Sequence, residues 1–256
     1  MDTNPPLKPA TGEPRKKFRR SIAILPSVFT TGNLFCGFFA IMSVMREQYE
    51  LAPPAIGIAV ILDALDGRIA RMAKSTSDFG LQLDSLADVV SFGLAPAVLL
   101  AGWGLAPVNE LAWFVAFVYL TSGAMRLARF NIQAGGLKHF VGLPIPAAAG
   151  CIAAIVHAFP TPIRDPRIAG LLTVLGLMLA FLMVSKLKYP SFKSQNLQRR
   201  RSHLNVLLLA TLIAAVWAYS RPVLLGVALA YFSSGIVLRL YSLARPRPAE
   251  EPRTIE

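Results

Sequence analysis

The chain has 256 residues, of which 54% are hydrophobic and only 16% charged, and its mean hydropathy is +0.52. A water-soluble protein of this length carries about 25% charged residues, so much of this surface is expected to face lipid. The net charge of +12 would mark a nucleic-acid surface on a soluble protein. Here the basic residues fall between apolar runs with no reading motif beside them, which argues against nucleic acid and for a topology signal.

Residues 1–20 are polar and Pro-rich and end in Arg15-Lys16-Lys17-Phe18-Arg19-Arg20. This is the composition of a disordered arm whose basic end lies on anionic headgroups. The apolar run that follows is too long for a signal-peptide core, and no convincing cleavage site succeeds it. Eight apolar runs, at about 25–45, 52–73, 82–103, 110–130, 143–160, 167–186, 204–220 and 222–243, each approach the roughly 20 residues that cross a bilayer. The fifth is rich in Pro and Ala, and only Ser220-Arg221-Pro222 separates the last two.

With the N-terminal arm in the cytoplasm, cytoplasmic segments hold 22 of the 26 Lys and Arg, leaving Arg46, Arg164, Arg167 and Arg221 outside. The reverse orientation would violate the positive-inside rule. The expected fold is therefore an all-α membrane protein, a bundle of about eight transmembrane helices with both termini cytoplasmic. The membrane domain covers residues 21–243, and a disordered tail covers 244–256. Cys36 and Cys151 fall inside apolar runs and read as small buried hydrophobes. His139, His157 and His203 are isolated and form no metal-ligand spacing.

Of only 14 acidic residues, four lie in or beside two adjacent apolar runs: Asp63, Asp66, Asp84 and Asp88. A carboxylate at membrane depth costs a few kcal/mol even on the lenient insertion scale, about 2.5–3.5 for Asp, so four together need a reason. Asp63, Asp66, Gly67, Ala70 and Arg71 follow i, i+3, i+4, i+7, i+8, one face of a helix about 12 Å long. Gly80, Asp84 and Asp88 follow i, i+4, i+8 on the next helix, and the short link Lys74 to Asp78 makes the two helices neighbours. Four clustered carboxylates repel one another, and oxygen-rich sites of this kind suit Mg²⁺ or Mn²⁺. Gly67 and Ala70 leave a bare surface for close approach, and Arg71 offers a cation for phosphate. Carboxylates, bare surface and cation together point to metal-assisted phosphoryl chemistry. The bland alternative is helix packing through small residues and ion pairs.

As one string these residues read D-x2-D-G-x2-A-R-x8-G-x3-D-x3-D from Asp63 to Asp88. The string resembles the signature of the CDP-alcohol phosphatidyltransferases at every position. The resemblance implies that Asp63, Asp66, Asp84 and Asp88 hold two divalent ions, Mg²⁺ or Mn²⁺, against the pyrophosphate of a CDP-linked lipid. It also implies that Asp88 takes the proton from the attacking alcohol. Gly67, Arg71 and Ser77 match positions that contact the CDP moiety, and Thr30 and Asn33 lie where the family often places nucleotide contacts.

Further stretches resemble the bacterial membrane-embedded branch of that family whose acceptor is L-serine and whose lipid substrate is CDP-diacylglycerol. They include Thr31-Gly32-Asn33-Leu34-Phe35-Cys36-Gly37, Ser91-Phe92-Gly93-Leu94-Ala95-Pro96-Ala97 and Gly142-Leu143-Pro144, within about residues 20–195. Serine brings a carboxylate, for which Arg126 and Arg129, with Asn131 nearby, are the candidates; the alternative is that both arginines are headgroup anchors. The resemblance further implies a homodimer in the cell (inner) membrane with its site on the cytoplasmic side. Glycerol 3-phosphate, inositol phosphate or choline as acceptor stays open at this point. So do a membrane prenyltransferase, whose two acidic motifs lie far apart in sequence, and an ion-coupled transporter, which commonly shows duplicated halves.

Overall fold

A computed structural model of the chain describes residues 14–73, 78–133, 142–185, 211, 215, 216 and 218–244, and every regular element among them is helical. The main helices among the described residues are α1 (Pro14–Met45), α2 (Ala52–Ala73), α3 (Asp78–Asp88), α4 (Glu110–Gln133), α5 (Ile145–Ala158), α6 (Pro166–Val184) and α7 (Ser220–Ala244). Helix α3 runs on without a break through two wide π-helical turns, Val89–Leu94 and Leu100–Gly104, separated by Ala95–Leu99.

Four described helical stretches are long and apolar enough to cross a membrane: Val28–Met45, Phe79–Gly104, Glu110–Ile132 and Pro166–Val184. Helix α2 has 22 residues, but Asp63, Asp66, Arg68 and Arg71 charge its second half. The fifth apolar run forms a helix of only 14 residues, because Pro144 precedes it and Pro160 and Pro162 follow it. Most of the seventh run lies outside the described residues. The basic stretch assigned from sequence to a disordered arm is already helical, since α1 begins at Pro14. Residues 1–13 and the tail beyond 244 lie outside the description.

Helix α1 packs along α2 and against α3, α4 packs on α6, and α5 is flanked by α2 and α7. The core between them is built from Phe92, Leu99, Trp103, Tyr119, Ile152 and Met183, all buried. Phe35 and Phe38 on α1, Trp113 and Phe117 on α4 and Phe181 on α6 point outward, the arrangement expected of helices solvated by hydrocarbon. Burial of the central rod has a polar cost near Pro96, which has no N–H for the turn before it, the turn that holds the carbonyl of Phe92. The fully buried Tyr119 hydroxyl donates to that carbonyl at 3.3 Å.

Polar ties mark the two ends of the bundle. At one end the Tyr49 hydroxyl donates to the Gly102 carbonyl at 3.2 Å, and Trp103 Nε1 donates to the Thr161 carbonyl at 2.9 Å. At the other, Asn131 Nδ2 donates to Ser85 Oγ at 2.8 Å, and Leu143 N donates to the Leu182 carbonyl at 3.0 Å. Gly142 turns the chain into α5 with φ of 88°, where a Cβ would come within 2.5 Å of the Met183 carbonyl oxygen. Such a position favours glycine. The signature acids lie at this second end.

Candidate active site

Asp63 and Asp66 stand one turn apart on α2, and Asp84 and Asp88 one turn apart on α3. The helical spacing places each pair on one face, and packing of both helices against α1 brings the faces together. Carboxylate oxygens of Asp63, Asp84 and Asp88 all lie within 4.8 Å of one another. Asp66 is buried beside them, accepts a hydrogen bond from the Thr30 hydroxyl, and exerts its charge on Asp84 across the hairpin.

Helix α1 supplies a second layer. Asn33, fully buried, donates from Nδ2 to Asp88 Oδ1 at 3.1 Å. The Ser91 hydroxyl in turn donates to the Asn33 backbone carbonyl at 2.9 Å. This contact is possible because α1 has Gly37 opposite Ser91, where a Cβ would lie 2.4 Å from Ser91 Oγ and 2.7 Å from its Cα. At Gly32, one turn before Cys36, a Cβ would similarly lie 3.2 Å from Leu62 Cδ1 of α2.

Whether the pocket suits a cation is decided by its lone pairs. Asp84 Oδ1 is buried with no hydrogen-bond donor, and three anionic side chains share a space of a few ångströms. Buried carboxylate oxygens left without donors are costly unless a positive charge compensates them. The all-oxygen donor set is that of a hard divalent ion, so the residues present fit one.

Arg126 of α4 is the largely buried cation whose charge bears on Asp88, and its Nε is buried without an acceptor. Arg129 is placed differently: it is exposed and donates from Nη1 to the Val184 carbonyl at 3.2 Å. That carbonyl belongs to the last turn of α6, which has no helical donor of its own. Asn131 is used in tying α4 to Ser85. Gly67 is half-buried on α2. The Arg71 side chain and Ser77 lie outside the described residues. Ser91 was not singled out by spacing, since an uncharged hydroxyl in an apolar run carries no signal until its neighbour on α1 is known.

A sequence model of the CDP-alcohol phosphatidyltransferase family matches residues 23–185, which contain every residue of the site. The chain belongs to the CDP-alcohol phosphatidyltransferase family. Three relatives named CDP-diacylglycerol–serine O-phosphatidyltransferase show how far the likeness extends. That of Helicobacter pylori is 36% identical over 177 residues, covering 66% of this chain and 73% of the relative. That of Bacillus subtilis is 36% identical over 180 residues, covering 69% of this chain and 97% of the relative. That of Methanocaldococcus jannaschii is 35% identical over 176 residues, covering 69% and 78%. A cavity of about 820 Å³ opens between α2, α5 and α7. Ile61, Ala154, Leu179 and Leu224 are among its walls.

Proposed function

We propose that the chain transfers the phosphatidyl group of CDP-diacylglycerol to the hydroxyl of L-serine, releasing CMP. The observation that carries this reading is the convergence of Asp63, Asp84 and Asp88, within range of the charge of Arg126. The names of the relatives support serine as acceptor. Two Mg²⁺ or Mn²⁺ ions held by Asp63, Asp66, Asp84 and Asp88 would neutralise the pyrophosphate and the departing CMP.

The protein's own groups do the rest. Asn33 fixes the rotamer of Asp88 by its hydrogen bond, leaving the other carboxylate oxygen for the serine hydroxyl. Asp88 takes that proton as general base, the serine oxygen bonds to the phosphorus that carries diacylglycerol, and the bond to the CMP oxygen breaks. Arg126 receives the serine carboxylate, which orients the hydroxyl toward Asp88. Gly67, Arg71 and Ser77 contact the CDP moiety, whereas Thr30 and Asn33 act through Asp66 and Asp88. Arg129 and Asn131 hold the end of α4 from which Arg126 projects.

Eight spans with cytoplasmic termini follow from the distribution of Lys and Arg, in a membrane domain of residues 21–243. The site then opens to the cytoplasmic face of the inner membrane, where soluble serine meets a lipid. A homodimer is the assembly expected from the family.

The test is incorporation of labelled serine into lipid by the purified protein, with CDP-diacylglycerol and with or without Mg²⁺ or Mn²⁺. Asp88→Asn is expected to lower kcat by about 10²–10⁴-fold, the contribution of a positioned base, and chelation to abolish turnover that either ion restores. Parallel reactions with glycerol 3-phosphate, inositol phosphate and choline should release no CMP. Release with one of these and none with serine overturns the assignment.

A further inference from the structure

We propose that the hydrogen bond between His157 and Ser220 closes the far end of the cavity between α2, α5 and α7 and thereby limits the acyl-chain length of the lipid substrate. The inference rests on the reading of CDP-diacylglycerol as that substrate.

One end of the cavity lies toward the acids through Arg126, whose charge acts on both Tyr231 and Asp88. Tyr231 of α7 lines the cavity at this end, and Ile61 is the last residue of α2 in its wall. It continues to Pro53, ten residues before Asp63 and therefore about 15 Å away along the helix. That distance matches the depth of one leaflet's hydrocarbon, half of about 30 Å. Gly57 and Gly150 line opposite walls, and a Cβ on either would meet nothing within 4 Å. The two walls are thus bare backbone facing open space, which suits a slender apolar chain.

Beyond the Tyr231 hydroxyl and the Cys151 thiol, the polar side chains in the lining are His157 and Ser220. They stand together, with His157 Nε2 and Ser220 Oγ 3.0 Å apart. His157 is in the last turn of α5 and Ser220 is the first residue of α7, at the end of the bundle marked by Trp103 and Thr161. A methyl terminus reaching this pair meets two groups already bonded to each other and can replace neither. A chain that stops short of the pair fits, and a longer one must bend or withdraw.

A tie between α5 and α7 with no role in selection would affect all lipids alike, so the readout is a ratio. Full-length protein in detergent micelles is assayed for serine-dependent CMP release with didecanoyl, dipalmitoyl and dibehenoyl CDP-diacylglycerol. His157→Ala is expected to raise kcat/KM for the dibehenoyl over the dipalmitoyl lipid by about fourfold for each methylene newly accommodated. Gly150→Leu, about 10 Å nearer the acids, is expected to shift preference toward the didecanoyl lipid while turnover of that lipid persists. Ratios unchanged from wild type in both variants overturn the proposal. If His157→Ala loses turnover at every length, Gly150→Leu decides alone, and a wild-type profile there overturns it. Wild-type protein that releases no CMP with serine at any chain length overturns the activity itself, a separate outcome.

Discussion

A guanidinium buried next to carboxylates is stable only where its N–H groups find acceptors. Arg126 has its Nε buried without one, at a distance from Asp88 over which the two charges act on each other. Arg129, three residues on, donates to the carbonyl of Val184 and completes the end of α6. Their spacing in sequence treats the two alike; their partners do not. Arg126→Ala is expected to raise KM for serine by about ten- to a hundredfold, the range of a charged hydrogen bond, with KM for CDP-diacylglycerol changed much less. Arg129→Ala should leave both constants near wild type and lower thermal stability instead. Steady-state kinetics with each substrate varied in turn check both, and equal rises in serine KM would defeat the distinction.

Helices α1 and α3 meet through a glycine and a serine, and the closeness of that meeting reaches Asp88. Ser91 can bond to the Asn33 carbonyl only because Gly37 lets the rod approach, and Asn33 then holds Asp88. Gly37→Leu is expected to push α1 from α3 and cut kcat by at least about tenfold, as loosening a positioned base does, while substrate KM values move little. Ser91→Ala should be milder, since it removes one hydrogen bond of about 1 kcal/mol. A Gly37→Leu enzyme with wild-type kcat would show that Asn33 does not depend on this contact. Helical periodicity located Asp84 and Asp88 correctly on one face, because both precede the first π-helical turn. From Val89 onward each π turn adds a residue and rotates the following face, so a 3.6-residue period misplaces side chains beyond it. Pro96 is the visible trace of that irregularity, but nothing near it in sequence names Tyr119 as the group that satisfies Phe92.

Across the bundle, the two ends differ in charge as well as in chemistry. The connections at the end holding Tyr49, Trp103 and Thr161 carry few Lys and Arg, and the sequence puts most of the others in the segments assigned to the opposite end by the positive-inside rule. In a background lacking Cys36 and Cys151, Gln48→Cys should react with a membrane-impermeant maleimide added to intact cells. Lys193→Cys should react only after the membrane is opened; labelling in the reverse order would invert the topology. Which segments are apolar and which acids share a helical face were legible in the chain, because each depends on neighbours within a few residues. Where the helices begin and end was read less well, as the 14-residue α5 and the start of α1 at Pro14 show. The contacts of Thr30 with Asp66, of Asn33 with Asp88 and of Ser91 with Asn33 were not legible, nor was the separation of Arg126 from Arg129 or the cavity closed by His157 and Ser220. These depend on how helices 30 to 60 residues apart pack against one another, and close packing is set by the shapes of facing surfaces that no single stretch of sequence contains.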